Sequence, residues 1–377
     1  MTMSLSYAST PLVGGYMYES LPERLRKLAE EDGSREAFVY FDRNWKRTAI
    51  SRKDIHDRSI SLAKVLVNQG LSPGAKVGFC MTNTINMLIA NMAVVCAGGI
   101  PYYMGTNLKD GSDVIHMMND MKSELFFIDT EVGDANWKIL EHIWPEKMPK
   151  SATVPSLKAI ICNGKVPDDI TSRQTLDSLM EKKPEPDTKL PEVQPEDTIA
   201  YFCTSGSTGT PKEVIYTHFC IINWTKQGDY AFEIRGASRF FNDRTFSWVV
   251  GYPRTYLVEG ATRVFVDPQL TSSGKHIEKI SDVIADERCD VVYVPNYLMV
   301  DLLDKPELSK KFQNVDTILT AGERFPKWAY ALKDKGFCRS LKLFYGSTES
   351  GGAACFNSNS TGDREDGMMG KEKIEMF

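Results

Sequence analysis

The sequence predicts a layered α/β protein built from two α/β subdomains. Helix and strand signals alternate through most of the 377 residues, the pattern of sheets stacked against helices. Residues 51–128 write two successive β-α-β units. The polar, proline-rich stretch EKKPEPDTKLPEVQPE at 181–196 then separates them from a second alternating run. Each proline there removes a backbone donor and pushes its predecessor out of helical geometry. The chain also exceeds the usual size of one compact core. The expected division is a first subdomain at 1–180, an exposed connector at 181–196 and a second subdomain at 197–360.

The elements follow from local chemistry. Ser51 caps a helix whose Ile55, Ser59, Leu62, Ala63 and Leu66 share one face, and Gly70 stops it near Pro73. A strand at 75–80 enters a turn at Thr82 and Asn83, then a helix through Met87, Ala90 and Val94. Gly98 and Gly99 end that helix before a strand at 100–103. A helix at 113–121 precedes the strand 125–128. After the connector come a strand at 199–203, a helix from about 219, a strand at 264–266 and a helix at 277–287. Strands at 291–294 and 317–319, a helix at 327–335 and a strand at 341–344 complete the run. No internal repeat or low-complexity tract interrupts it.

Composition narrows the functional classes. With 25% charged and 42% hydrophobic residues and a net charge of -5, the chain reads as an ordinary globular protein, and nucleic acid is not an expected partner. Eight cysteines lie scattered without a C-x-x-C pair or zinc-finger spacing, so they read as reduced thiols. The N-terminus lacks a basic start followed by an apolar run, which argues against secretion and mitochondrial import. The expectation is an intracellular protein, cytoplasmic or organelle-associated. The most apolar helix-length stretch, 87–97, contains Asn91 and is far shorter than the ~20 residues of a membrane span.

The most informative segment is Thr204-Ser205-Gly206-Ser207-Thr208-Gly209-Thr210-Pro211-Lys212. An apolar strand runs into a turn of small residues whose backbone N–H groups and hydroxyls can approach an anion, and Lys212 adds a positive charge. A polyphosphate is the natural ligand. The segment is not the P-loop G-x-x-x-x-G-K-[ST], because Gly206 and Gly209 stand three apart and Glu213 occupies the hydroxyl position. The nine-position string closely resembles the phosphate loop of the adenylate-forming, or AMP-binding, superfamily, which includes acyl-CoA synthetases, luciferases and the adenylation domains of peptide synthetases.

Further stretches resemble the same family in order and spacing. Tyr345-Gly346-Ser347-Thr348-Glu349 is similar to its Tyr-Gly-x-Thr-Glu motif. Thr320-Ala321-Gly322-Glu323-Arg324 resembles the segment whose backbone lies along adenine. Residues 46–103, with Gly70, Pro73, Gly74, Val77, Asn83 and the turn 97–101, resemble the N-terminal subdomain and look structural. In Thr245-Phe246-Ser247-Trp248-Val249-Val250-Gly251-Tyr252, Trp248 and Gly251 match a position beside the substrate carboxylate and the glycine three residues later. Trp248 either walls an acyl pocket or belongs to the core. Amino-acid-activating relatives usually carry an aspartate where Ser247 stands, which argues against an amino-acid substrate. His218 matches a family position after the loop, with a packed core role preferred.

The resemblance implies the layered αβαβα N-terminal domain of acyl-adenylate-forming enzymes and a two-step reaction. A carboxylate attacks the α-phosphorus of ATP to give acyl-AMP and pyrophosphate, and a thiol, usually that of coenzyme A, displaces AMP. It also implies roles. Residues Thr204, Ser205, Gly206, Ser207, Thr208, Gly209 and Lys212 hold the β- and γ-phosphates, and Gly322, Glu323 and Arg324 lie along adenine. Tyr345, with Gly346 and Ser347 in the same turn, stacks on adenine; Thr348 binds the α-phosphate; Glu349 holds Mg²⁺. Trp248, Gly251 and Tyr252 belong to the substrate pocket, and the aromatic character of Trp248, Tyr252 and Tyr256 favours a fatty or aromatic acid. Lys212, Thr348 and Glu349 are the expected catalytic residues. After Glu349, residues 362–371 still resemble a family G-x-x-G turn before the sequence stops at Phe377. The expectation is therefore an incomplete β-barrel subdomain beginning at 361–377, with the small lysine-bearing C-terminal domain missing. The alternatives are a catalytically impaired nucleotide- or partner-binding protein, or an adenylation domain that loads a carrier protein.

Overall fold

The computed structural model describes residues 14–104, 112–130, 143, 151–164, 173–204, 212–271, 275–322, 327–357 and 374–376. The chain opens with α1 (Leu21–Asp32), the hairpin β1 (Glu36–Phe41) and β2 (Arg47–Ser51), and α2 (Arg52–Asn68). It continues through β3 (Lys76–Cys80), α3 (Ile85–Cys96), β4 (Ile100–Tyr103), α4 (Ser112–Asp120) and β5 (Leu125–Asp129). Next come β6 (Ala159–Asn163), β7 (Arg173–Thr175), β8 (Thr198–Thr204) and β9 (Lys212–Thr217). The remaining strands are β10 (Arg239–Phe241), β11 (Thr262–Val266), β12 (Val291–Tyr293), β13 (Thr317–Ala321), β14 (Ser340–Ser347), β15 (Gly351–Asn357) and β16 (Ile374–Met376).

The strands form two sheets. Among the described residues the first has seven strands in the order β7-β6-β5-β3-β4-β8-β9, and the second has nine in the order β16-β15-β14-β13-β12-β10-β11-β1-β2. Both are parallel in their middles; the first turns antiparallel at one end, through β8–β9, and the second at both, through β14–β15–β16 and β1–β2. Each sheet draws strands from both sides of residues 181–196. The hairpin β1–β2 crosses to the second sheet, pairing Phe38 with Arg263, and β8 and β9 close the first. The β1–β11 pairing leaves no local trace, because it joins residues more than two hundred positions apart.

Helices fill the space between the sheets and cover both outer faces. In α3 every residue but Asn86 is buried, as expected of a helix that is apolar all round. It packs with α1, α2 and the helix His218–Phe232 into one core that touches Phe79, Phe127 and Phe202 of the first sheet and Phe38 and Phe265 of the second. On the far side of the first sheet, α4 covers Tyr102, Phe126 and Ile128. The helices Ile277–Asp286 and Asn296–Asp304 cover Val39, Val264 and Val266 of the second. This gives the αβαβα layering of the N-terminal domain of acyl-adenylate-forming enzymes. None of the described helices is long and apolar enough to cross a membrane.

The caps are side-chain oxygens. Ser51, Thr84 and Thr217 accept from the N–H groups of Asp54, Met87 and Cys220, each three residues on. In α1, Glu23 reaches back to the Ser20 N–H at 2.7 Å, half of a capping box. The helix expected at 327–335 is instead a 3₁₀ turn, Lys327–Tyr330, followed by one helical turn, Ala331–Asp334. Among the residues there whose burial is described, only Ala329 and Leu332 are buried, so no apolar stripe sustains a longer helix.

His218 opens the helix that follows β9. It is 1% exposed, and its Nδ1 accepts the Leu21 N–H at 3.0 Å, tying the start of α1 to that helix. Burial pulls its pKa down to about 4, with Asp197 opposing. The folded state therefore keeps the ring neutral, whereas an unfolded histidine titrates near 6.5. This contribution to stability is complete above pH ~6.5 and falls away as pH drops toward ~4, by about 2–3 kcal/mol. Denaturant titrations at pH 7.5 and 4.5 should show His218→Gln losing less stability between the two than the parent chain. Equal losses would remove His218 as the cause.

Candidate functional site

The glycine-rich segment is held at its ends by a hairpin. Strands β8 and β9 are antiparallel, with Cys203 opposite Glu213 and Thr204 opposite Lys212. The Thr204 hydroxyl donates to the Lys212 carbonyl at 3.5 Å. Ser205, Gly206, Ser207, Thr208 and Gly209 lie outside the described residues. The hairpin nevertheless fixes where that loop leaves and rejoins the sheet, and Lys212 is exposed at the rejoining point.

The second motif comes from the other sheet. Strand β13 runs parallel to β14 and ends with Ala321 beside Phe344, so Gly322, at φ +92°, leaves β13 level with Tyr345 near the end of β14. Glu323 and Arg324 lie outside the described residues. Tyr345 is 60% exposed; its ring is presented to solvent rather than spent in the core. Gly346 and Ser347 end β14. The turn is closed by the Ser347 and Ser350 hydroxyls 3.0 Å apart and by the Ser350 N–H donating to Ser347 Oγ. Glu349 is exposed on that turn.

One hydrogen bond brings the two motifs together. Tyr216 of β9 donates its hydroxyl to the Thr348 carbonyl at 2.7 Å. Burial pushes the Tyr216 hydroxyl up to about 12, and Cys220 and Glu349 push the same way against Arg254. It therefore remains a donor throughout the neutral range. Behind it, Trp224 of the helix His218–Phe232 lies near Tyr216 and Phe344, both at 6.2 Å between ring centres. A Cβ on Gly352 would sit 2.5 Å from Trp224 Nε1, so only glycine lets β15 lie this close. Lys212, Thr348, Glu349 and Tyr345 thus share one end of the molecule.

The segment from Thr245 to Tyr252 is folded as tight turns. The Trp248 N–H donates to the Thr245 carbonyl, and the Gly251 and Tyr252 N–H groups both donate to the Trp248 carbonyl. Trp248 is 56% exposed, so of its two expected places it does not occupy the core. Gly251 is buried, and a Cβ there would stand 1.9 Å from the Thr245 carbonyl oxygen. Tyr252 and Tyr256 are 2% and 1% exposed. Tyr252 packs edge-on against Phe202 and Tyr103, and Tyr256 lies 4.8 Å from Phe38. Their rings belong to the layer between the sheets. A cavity of about 20 Å³, lined by Val250, Phe344, Leu319, Asp229 and Arg254 among others, has room for about one water.

Two residues that hold this segment were not singled out for a role by sequence reasoning. Asn83 follows β3 and was read only as structural; Arg263 sits in β11, where all five residues are buried. A charged residue inside the apolar run Thr262-Arg263-Val264-Phe265-Val266 is the signal that could have found it. Burial lowers the Arg263 pKa, with Asp243 opposing. Among the described residues, no group of three or more His, Cys, Asp or Glu is placed to hold a metal ion.

Gly251→Ala should destabilise the fold by about 1–3 kcal/mol or more, because the atoms in its way are the backbone of Thr245 and Arg244. Urea unfolding measures this, and an unchanged midpoint would show that the turn relaxes freely.

The family model for "AMP-binding enzyme" matches residues 25–373. A 3-hydroxybenzoate–CoA ligase of Aromatoleum sp. (strain CIB) is 23% identical over 305 residues, covering 80% of this chain and 54% of that protein. Tyrocidine synthase 2 of Brevibacillus parabrevis is 21% identical over 326 residues, covering 86% of this chain and 8% of that one. The crystal structure of a putative long-chain-fatty-acid CoA ligase from Rhodopseudomonas palustris CGA009 superposes with a TM-score of 0.73 at 15% identity, over 90% of this chain and 79% of the other. The chain thus spans about half the length of the first of these relatives. With the two motifs joined at one end of a layered α/β domain and the family model matching nearly throughout, the chain belongs to the AMP-binding enzyme family.

Proposed function

We propose that the chain is the nucleotide-gripping domain of a ligase that uses ATP to activate a carboxylic acid as acyl-AMP, for later thioester formation with coenzyme A. The observation that carries this reading is the hydrogen bond from Tyr216 to the Thr348 carbonyl, which sets the strand leaving the glycine-rich loop against the Tyr345–Glu349 turn. In this reading Ser205 to Gly209 and Lys212 bind the β- and γ-phosphates, and Thr348 binds the α-phosphate. Tyr345 stacks on adenine beside Gly322, Glu323 and Arg324. Glu349 is the carboxylate for Mg²⁺, which takes one or two carboxylates together with substrate phosphates and supplies positive charge to them.

The chemistry needs no protein nucleophile, because the acid itself attacks phosphorus. Rate then comes from holding carboxylate and phosphate in line and from neutralising charge that builds on the α-phosphoryl oxygens. Lys212 provides a cation, and the Thr348 hydroxyl a donor. On the acid side, Trp248 and Gly251 form the facing segment, with Tyr252 supporting it from the core. Ser247 in place of an aspartate offers no anion for an α-ammonium group. This supports a fatty or aromatic acid over an amino acid, and the similarity to a 3-hydroxybenzoate–CoA ligase supports the aromatic choice.

Calorimetry should show ATP binding by the wild-type chain, weakened about tenfold or more by Lys212→Ala, the loss expected of a charge-assisted contact. Unchanged affinity would count against the loop assignment. Tyr216→Phe should keep the fold and weaken ATP binding about threefold to tenfold, the worth of one neutral hydrogen bond. An unaffected Kd would remove the link between the motifs as a binding determinant. Exchange of labelled pyrophosphate into ATP, run over a panel of acids, tests the substrate class. Exchange supported by aliphatic or aromatic acids fits the proposal, and exchange with amino acids alone would overturn it. ATP binding without exchange under any acid would favour a nucleotide-binding protein without turnover.

A further inference from the structure

The segment that carries Trp248 and Gly251 is irregular yet largely buried between the two sheets, so its carbonyl groups need donors that no ladder provides. Arginine supplies four of them. Arg263 donates through Nε to the Asn242 carbonyl at 2.9 Å, through Nη2 to that of Arg244 at 2.8 Å and through Nη1 to that of Gly251. One guanidinium therefore spans the segment from its first residue to the glycine beneath Trp248. Its Cζ lies over the Phe246 ring, 4.6 Å from the ring centre. Arg254 adds a bond from Nε to the Val249 carbonyl at 3.2 Å.

The opposite sheet contributes Asn83. Its Nδ2 donates to the Arg244 carbonyl at 2.9 Å, and its Oδ1 accepts the Phe246 N–H at 2.8 Å. Asn83 is 0% exposed and Arg263 4%. None of the described carboxylates forms an ion pair with Arg263. A buried cation without a paired anion is costly to fold around, and a single carbonyl does not require one. What a guanidinium offers that lysine or glutamine does not is a rigid planar fork able to meet three acceptors at once.

We infer that Arg263, with Asn83 facing it, is a positioning residue that fixes the acid-side segment from both sheets and so sets where Trp248 and the Gly251 turn stand. The inference rests on the reading of Thr245–Tyr252 as the acid side of the proposed reaction. It assigns Arg263 no contact with substrate. The predicted signature is local: without the fork, residues 242–253 loosen while both sheets and the nucleotide motifs stay as they are.

Hydrogen exchange followed by mass spectrometry on the full chain tests this, with Arg263→Lys keeping the charge but not the fork and Asn83→Ala acting from the other sheet without a charge change. In each variant, peptides spanning 242–253 should exchange about tenfold faster or more, with peptides from α4 and from the helix Ile277–Asp286 unchanged. The ATP Kd should stay within about threefold, and for any acid supporting pyrophosphate exchange the acid KM should rise about tenfold with the ATP KM little moved. Unchanged protection of 242–253 in Arg263→Lys would overturn the role of the fork, and acceleration spread over the whole chain would reduce Arg263 to a general stabiliser. A rise in the ATP KM alone would overturn the acid-side role. Should neither variant fold, the wild type decides: the Gly251 and Tyr252 amides should exchange only with global unfolding, and fast exchange there would sink the inference. A wild-type chain that binds no ATP would remove the functional reading, while the exchange data would still decide whether Arg263 holds the segment.

Discussion

Phe202 is the contact on which the arrangement turns. Its ring stacks on Tyr103 of β4 at 5.4 Å and meets Tyr216 of β9 and Tyr252 of the segment Thr245–Tyr252 edge-on, each at 5.5 Å. Stacked and T-shaped pairs of this kind satisfy the ring quadrupoles while excluding water, and each adds to the area it buries. Two residues beyond Phe202 the chain reaches Thr204 and the glycine-rich loop. The ring that closes the space between the sheets therefore also sets the height at which that loop departs. Through Tyr216 it supports the hydroxyl that reaches Thr348, and through Tyr252 it backs the turn below Trp248.

That apolar centre creates the problem the buried arginines solve. Between residues 242 and 253 the chain leaves regular structure inside the interlayer, and the short helix Arg254–Glu259 then ends there with its last carbonyls unmet by its own turns; an unpaired carbonyl in either place costs nearly as much as a lost hydrogen bond. Arg24 covers the carbonyls of Leu257 and Val258, and Arg52 covers that of Gly260, at 2.7–3.0 Å. Arg254 and Arg263 cover the earlier stretch. Each guanidinium also packs its apolar stem, so the solution is compatible with the surrounding core. A consequence for the site is rigidity, because a segment whose carbonyls are met by planar forks has few alternative arrangements of equal energy.

The parts legible in the sequence are those with local signatures. The helix after Ser51 falls at Arg52–Asn68 with Ser51 as its cap, and strands at 100–103 and 125–129 lie where alternation placed them, because caps and periodicity act over a few residues. The Tyr345 turn was legible as a motif, and its exposure follows from β14 ending at the sheet margin. What local reasoning does not contain is the pairing of β1 with β11, and with it the crossing of the N-terminal hairpin to the second sheet. The same limit hid Asn83 and Arg263. Their partners are backbone atoms about 160 and about 20 residues away, and backbone carbonyls have no identity that a sequence pattern could reveal. Tyr252 looked like a pocket residue from its neighbours in sequence, yet its ring points into the interlayer, because the turn at Gly251 redirects the chain.

Trp224 shows how the two halves of the site constrain one another. Arg254 lies over its ring at 4.4 Å while holding the Val249 carbonyl on the acid side. The same ring abuts Gly351 and Gly352 on the strand that follows the Tyr345–Glu349 turn. A cation held over an indole inside a core is attracted more strongly than one at the surface, so this stack resists sliding. Displacing the segment Thr245–Tyr252 would drag Arg254 across the indole, and displacing the β14–β15 hairpin would drive Gly352 into it. In the proposed reaction two bound substrates react with each other and no side chain forms a covalent bond, so the rate is drawn from keeping them aligned. Close packing of both segments on one half-buried ring makes that alignment a property of the fold rather than of either segment alone.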